Sequence, residues 1–244
     1  MSPRLSRAHV VAAAALIAPP LWNNRIAPAL GLGRRGRTLA HLSFAAGYAA
    51  ALSVRPNRSS MKSFRVGLAV SSVVATAATV ALGPVRSAVA EIPARTPEVP
   101  PAEWIAVHIP FGTVLPEELV FRATLDPLLA GLIGPRPALL LGAVTFGLWH
   151  VYPARSAGDP VLPTVAATAA AGVVLTLLNR HTGSTTAPAL LHFALNAIGA
   201  LIATLARSDA AADGDHGQRS VVVPDASDLP VPAADGCSRV GDRP

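Results

Sequence analysis

LPEELVFRATL, residues 115–125, sets two adjacent carboxylates, Glu117 and Glu118, and one cation, Arg122, inside a stretch otherwise apolar enough to lie in a lipid bilayer. Charged side chains at membrane depth are costly, so they are kept where they serve a site or pair with one another. Glu118 and Arg122 are four positions apart and share one helix face, where a charge-assisted pair forms. Glu117 is rotated by about 100° from that face, which leaves it the unpaired acid and the candidate general base. Pro116 suits a first helical turn, so the sequence predicts a helix N-terminus just before the pair, its dipole favouring their negative charge. The plainer reading is an interfacial helix end with two solvated Glu and a snorkelling Arg. Scarcity argues against it: between Ile105 and Gly158 the only other acid is Asp126, which with Pro127 is read as the end of that helix.

Two more turn-spaced polar pairs follow in equally apolar surroundings. Phe146 and His150 lie in FGLWH, and His192 and Asn196 lie in HFALN. A lone His at a helix end is ordinarily interfacial, and a His–Asn pair within a span ordinarily bonds across helices. Three such pairs on three successive apolar segments point instead to one intramembrane site. His108 and His181 are read as interfacial or loop residues without a catalytic role.

The rest of the chain supplies the setting. Of its 244 residues 51% are hydrophobic and only 14% charged, with mean hydropathy +0.45, against roughly 25% charged in an ordinary soluble domain. Apolar stretches run over 8–22, 38–54, 64–83, 104–130, 138–152, 161–179 and 186–206. At about 20 residues per crossing, this predicts an all-α, polytopic integral membrane bundle of about six or seven spans. Segment 8–22 is short, ends in Pro19-Pro20 and is read as uncleaved. The expected organisation is N-terminal membrane helices over 1–83, a Pro-rich linker over 84–103, a motif-bearing bundle over 104–206 and a disordered tail over 207–244.

The first 90 residues contain no Asp or Glu, and their Arg and Lys gather between apolar segments. Such loops are read by lipid headgroups and the insertion machinery. The net charge of +6 therefore does not indicate a nucleic-acid partner, since no soluble basic face with interleaved aromatics is present. The single Cys237 excludes an intrachain disulfide and a multi-Cys zinc cluster. It is not fourth from the end, so the chain is not itself a prenylation target.

Glu117-Glu118-x-x-x-Arg122, then Phe146-x-x-x-His150, then His192-x-x-x-Asn196, in that order on separate apolar segments, resembles the CPBP family of intramembrane proteases. That family holds the type II CAAX prenyl endopeptidases and the Abi-type proteins of bacteriocin processing and self-immunity. The resemblance covers roughly residues 104–206, with Ala123 following Arg122 where relatives commonly have Gly. It implies Glu117 as the base that activates water with His150 beside it, His192 and Asn196 stabilising the oxyanion or orienting that water, and Glu118 with Arg122 as the supporting pair. Glu117, His150 and His192 also suit a Zn²⁺ ion, whose bound water would ionise near neutral pH; a metal-free glutamate–histidine mechanism is the other route, and the sequence leaves both open. The H-E-x-x-H arrangement is absent.

The resulting expectation is an endopeptidase of the bacterial cytoplasmic membrane, acting on a membrane-anchored or membrane-spanning peptide or protein. The alternative is a non-catalytic membrane scaffold or immunity-type protein. A proton-coupled transporter would call for an internal repeat or paired broken helices, and neither is visible.

Overall fold

The computed structural model describes residues 7–52, 59–90 and 98–219, and among them every regular element is helical. Seven helical stretches follow one another: α1 over 7–29, α2 Arg34–Ala51, α3 Met61–Ala90, α4 over 101–133, α5 Pro135–Ala157, α6 Val161–Thr182 and α7 Thr186–Arg219. Four stretches are long and apolar enough to cross a membrane: Met61–Ala81, Pro135–Ala157, Val161–Thr182 and Thr186–Thr204. Helices are the form this composition requires, because a chain in hydrocarbon must satisfy every backbone group within its own segment.

The turns between the last helices are short. Gly158 and Gly183 close α5 and α6 in left-handed geometry, at φ 75° and 68°, which glycine adopts without a Cβ penalty. Close approaches between helices also use glycine. A Cβ on Gly67 of α3 would come within 2.7 Å of the Ala187 Cα of α7, and one on Gly147 of α5 within 2.7 Å of the Val165 carbonyl of α6.

The buried core gathers around α4. Val120, Phe121, Leu125 and Leu129 pack with Ala15 of α1, Ala45 and Tyr48 of α2, and Ala138, Phe146 and Trp149 of α5. Away from this seam the helices present bare apolar surface, with Leu140 64% exposed and Leu162 78% exposed. In a bilayer that surface meets lipid instead of water.

Three expectations are corrected. Pro19 and Pro20 do not end the first segment, because the helix passes through both and reaches Ala29 by way of a wide turn, Trp22–Ile26, in which the Ala27 N–H reaches back five residues to Trp22. The Glu pair does not stand at a helix N-terminus. The backbone is already helical from Pro101, and Pro116 is accommodated beside a second wide segment, where the Leu115 N–H bonds the Pro110 carbonyl. Asp126 does not terminate its helix, which continues to Ile133; its carboxylate pairs with Arg180 of α6.

Two boundaries fall differently from the sequence reading. Helical backbone extends through 84–90 at the start of the Pro-rich stretch, and α7 continues past 206 to Arg219. Residues 220–244, with Cys237, and residues 91–97 lie outside the described residues.

Candidate active site

Residues Glu118–Leu125 form a third wide segment, with the Asp126 N–H bonded to the Phe121 carbonyl five residues back. Such widened turns are frequent at functional sites because they displace side chains from ordinary helical register. Pro127 has no N–H, so the Arg122 carbonyl is left without the next bond of that series. Asn179 of α6 supplies the donor, its Nδ2 bonding the Arg122 carbonyl at 3.3 Å.

Glu117, Glu118, Arg122 and His192 are all buried, at 4%, 2%, 1% and 6% exposure. His192 of α7 sits between the two carboxylates of α4. Its Nδ1 is 2.9 Å from Glu118 Oε1, and its Nε2 is 3.6 Å from Glu117 Oε2. A carboxylate accepts, so Nδ1 carries a proton that it donates to Glu118. A ring that also carries a proton on Nε2 is a cation between two carboxylates, and with Arg122 the four groups then sum to zero charge, which limits the cost of placing them at membrane depth.

The remaining contacts hold this cluster in place. Arg122 Nη1 lies 3.4 Å from Glu118 Oε1, the i,i+4 pair expected from the sequence, and its guanidinium stacks 4.2 Å above the Phe146 ring. Glu117 Oε1 accepts the Trp149 indole N–H at 3.1 Å. Glu117 Oε2 and Glu118 Oε2 are buried with no hydrogen-bond partner, so each carboxylate keeps one oxygen uncommitted.

His150 reaches the site through Phe146. Its ring lies edge-on to Phe146 at 4.9 Å between centroids, while His192 meets the same phenyl ring at 6.1 Å. Its Nδ1 donates to the Phe146 carbonyl at 2.8 Å, so in the neutral form of the ring Nε2 is the lone-pair nitrogen. Asn196 stands one turn beyond His192 and donates to the His192 carbonyl at 3.0 Å. It bonds its own helix and not the carboxylates.

Of the expected residues, Glu117, Glu118, Arg122 and His192 thus come together directly, His150 approaches across Phe146, and Asn196 borders the group. Trp149 and Asn179 were missed by sequence reasoning. Asn179 carried a signal, being a carboxamide at the end of an apolar run, whereas Trp149 reads as one more apolar residue of FGLWH.

The metal set Glu117, His150 and His192 is not assembled. Among the described residues no group of three or more His, Cys, Asp or Glu side chains is placed to hold a metal ion. Both imidazole Nδ1 atoms are committed to partners, the Phe146 carbonyl and Glu118 Oε1, an arrangement that leaves each ring its Nε2.

Outside the spans, Glu98 and Glu103 meet the arginines of the basic N-terminal region. Glu103 takes two bonds from Arg35, at 2.7 and 3.0 Å, and one from His108 at 3.2 Å. Arg35 first, then His108, holds its carboxyl down at about 2. Glu98 is also lowered, chiefly by its hydrogen bond from Arg37.

Residues 100–198 match the family described as type II CAAX prenyl endopeptidase Rce1-like. No curated protein and no solved structure matches the chain.

Proposed function

We propose, from the match of residues 100–198 to the type II CAAX prenyl endopeptidase Rce1-like family and from helices long and apolar enough to cross a membrane, that the protein hydrolyses a peptide bond in a membrane-anchored or membrane-spanning substrate by glutamate-activated water. The observation that carries this reading is His192 lodged between two buried carboxylates, 2.9 Å from Glu118 and 3.6 Å from Glu117.

In this reading Glu117 Oε2 removes a proton from water while the water oxygen bonds the scissile carbonyl carbon. His192, tied through Nδ1 to Glu118 and carrying a second proton on Nε2, faces Glu117 and offers Nε2–H to the developing oxyanion. The Nε2 lone pair of His150 orients the water, and the second N–H of Asn196 adds a donor. Collapse of the tetrahedral intermediate breaks the C–N bond, and Glu117 passes its proton to the departing amine. Arg122 pairs with Glu118 and leaves the chemistry itself to the other groups. Trp149 fixes the rotamer of Glu117 through Oε1, so that Oε2 is the oxygen left to act.

Terminal peptide mapping of membrane fractions, from host cells expressing the wild-type chain or Glu117→Gln, tests the proposal. New N- and C-termini that require Glu117 are expected, and they name the substrate directly. Identical termini from both strains, with the variant folded and inserted, would transfer the reading to a non-catalytic scaffold. The rate of formation of these termini is expected to persist after chelation by EDTA, since no three-residue ligand group is in place among the described residues; a rate abolished by the chelator and restored by zinc would establish a metal mechanism in its stead.

A further inference from the structure

α5 does not run straight through His150. The His150 N–H bonds the Gly147 carbonyl at 3.0 Å, one residue short of the α-helical partner. That frees the Phe146 carbonyl for the ring Nδ1–H of His150. The tautomer of His150 is therefore a consequence of a break in the backbone.

Pro153 supplies part of the break. It has no N–H, so the Trp149 carbonyl has no partner four residues on; Asn23 Nδ2 of α1 donates to it instead, at 2.7 Å. The rest comes from Asn24. In an unbroken helix the Leu148 carbonyl and the Tyr152 N–H bond each other. Here one carboxamide stands between them, Asn24 Nδ2 donating to Leu148 at 2.8 Å and Oδ1 accepting from Tyr152 at 2.7 Å. The other N–H of Nδ2 goes to the Pro20 carbonyl at 2.8 Å. A carboxamide alone offers two donors and an acceptor from one planar group, since a carboxylate lacks the donors, a neutral imidazole has only one and an aliphatic side chain lacks both.

We infer that Asn24, seconded by Asn23, is a positioning residue for His150, its carboxamide wedged into the α5 hydrogen-bond ladder to hold open the break that turns the His150 Nδ1–H onto Phe146 and leaves Nε2 as the lone pair. Both asparagines belong to the wide turn Trp22–Ile26, outside the family-matched residues 100–198. The N-terminal helix thereby completes a site whose reacting groups all lie later in the chain. The inference rests on the reading of His150 as a member of that site.

The test uses the full chain in lipid nanodiscs with ¹⁵N-labelled histidine, the His150 signals being assigned by their loss in His150→Gln. The wild type should show His150 protonated at Nδ1 and bare at Nε2. In Asn24→Leu the Leu148–Tyr152 bond can close and the His150 N–H can return to Phe146, so the signal should move to the Nε2-protonated form. Asn24→Asp, which keeps the acceptor for Tyr152 and loses both donors, should shift in the same direction and decides the matter where the leucine variant does not insert. In isolated membranes, the rate of Glu117-dependent terminus formation should fall about ten- to a hundredfold in Asn24→Leu, as a displacement of about 1 Å in a reacting group does. An unshifted His150 signal with an unchanged rate in both variants overturns the inference and leaves the catalytic reading intact. Wild-type termini from Glu117→Gln would instead sink the catalytic reading, and the His150 signal alone would then decide the positioning claim.

Discussion

At the scale of single residues, the site is held by a few specific contacts, and Trp149 gives the sharpest case. Its indole N–H is the hydrogen bond that the structure gives to Glu117 Oε1, while its ring packs edge-on against Phe121 at 5.7 Å. Trp149→Phe keeps an aromatic body there and removes the donor. A buried acceptor stripped of its partner costs about 1–3 kcal/mol. The variant should therefore melt at lower temperature in detergent, and its Glu117-dependent cleavage should slow by about tenfold, the loss expected when an orienting contact of 1.4 kcal/mol or so is withdrawn from the base. Wild-type melting and wild-type cleavage together would show that the indole contact does not matter. The carboxylates themselves were legible in the sequence because acids are scarce in this stretch. Their partner was not: an i,i+4 rule speaks only within one helix, so it found Glu118 with Arg122 and had nothing to say about His192, which arrives from α7.

At the scale of elements, prolines explain both where the sequence reading held and where it failed. Runs of apolar residues near membrane length located the start of each helix to within a few positions, while α1, α3 and α7 run on past the expected ends, since bilayer thickness sets the apolar length and not the point where a helix stops. Proline was read as a terminator, and Pro19 and Pro127 terminate nothing. Each removes one N–H from a helix that continues, and a polar side chain on another helix takes the carbonyl left over: Tyr48 for Ala15 at 2.8 Å and Asn179 for Arg122 at 3.3 Å. Asn23 does the same for Trp149 opposite Pro153. Local sequence could not reveal this, since the donor lies tens of residues away. The scheme makes a specific prediction of coupling. Tyr48→Phe should cost about 1–3 kcal/mol, because the Ala15 carbonyl is buried and Pro19 offers no replacement. In a Pro19→Ala background the helix recovers its own N–H at that position, so the same substitution should cost markedly less. Melting of the four proteins of this cycle measures the coupling, and strictly additive losses would refute the scheme.

At the scale of the whole molecule, the uneven charge of the chain has a folded counterpart. The arginines that open α2 were read as loop residues facing headgroups, but Arg34, Arg35 and Arg37 are paired with Glu98 and Glu103, the acids at the entrance to α4. Arg34 also lies over the Trp104 ring at 4.8 Å. His108, expected to be interfacial or in a loop, is 4% exposed and bonded through Nδ1 to Thr38 at 2.7 Å. The strap ties α2, which packs Tyr48 and Ala45 into the core, to the helix that bears Glu117 and Glu118. Its pH dependence follows from the carboxylates. Both Glu98 and Glu103 are held below their ordinary value of 4.5, Glu103 at about 2. A carboxyl depressed in the folded state adds stability that is fully present above the unfolded value and is lost as pH falls through the folded one. The strap should accordingly loosen on acidification from 4.5 toward about 2. Other acids of the chain titrate in the same window, so the readout is a difference: the Glu98→Gln/Glu103→Gln variant should melt below the wild type at neutral pH, and the gap should close as pH falls. Raising the salt concentration at neutral pH should narrow the same gap, because these exposed pairs are screened. A gap that stays constant from neutral pH to the acid limit would mean that the arginines stabilise the entrance to α4 by packing alone.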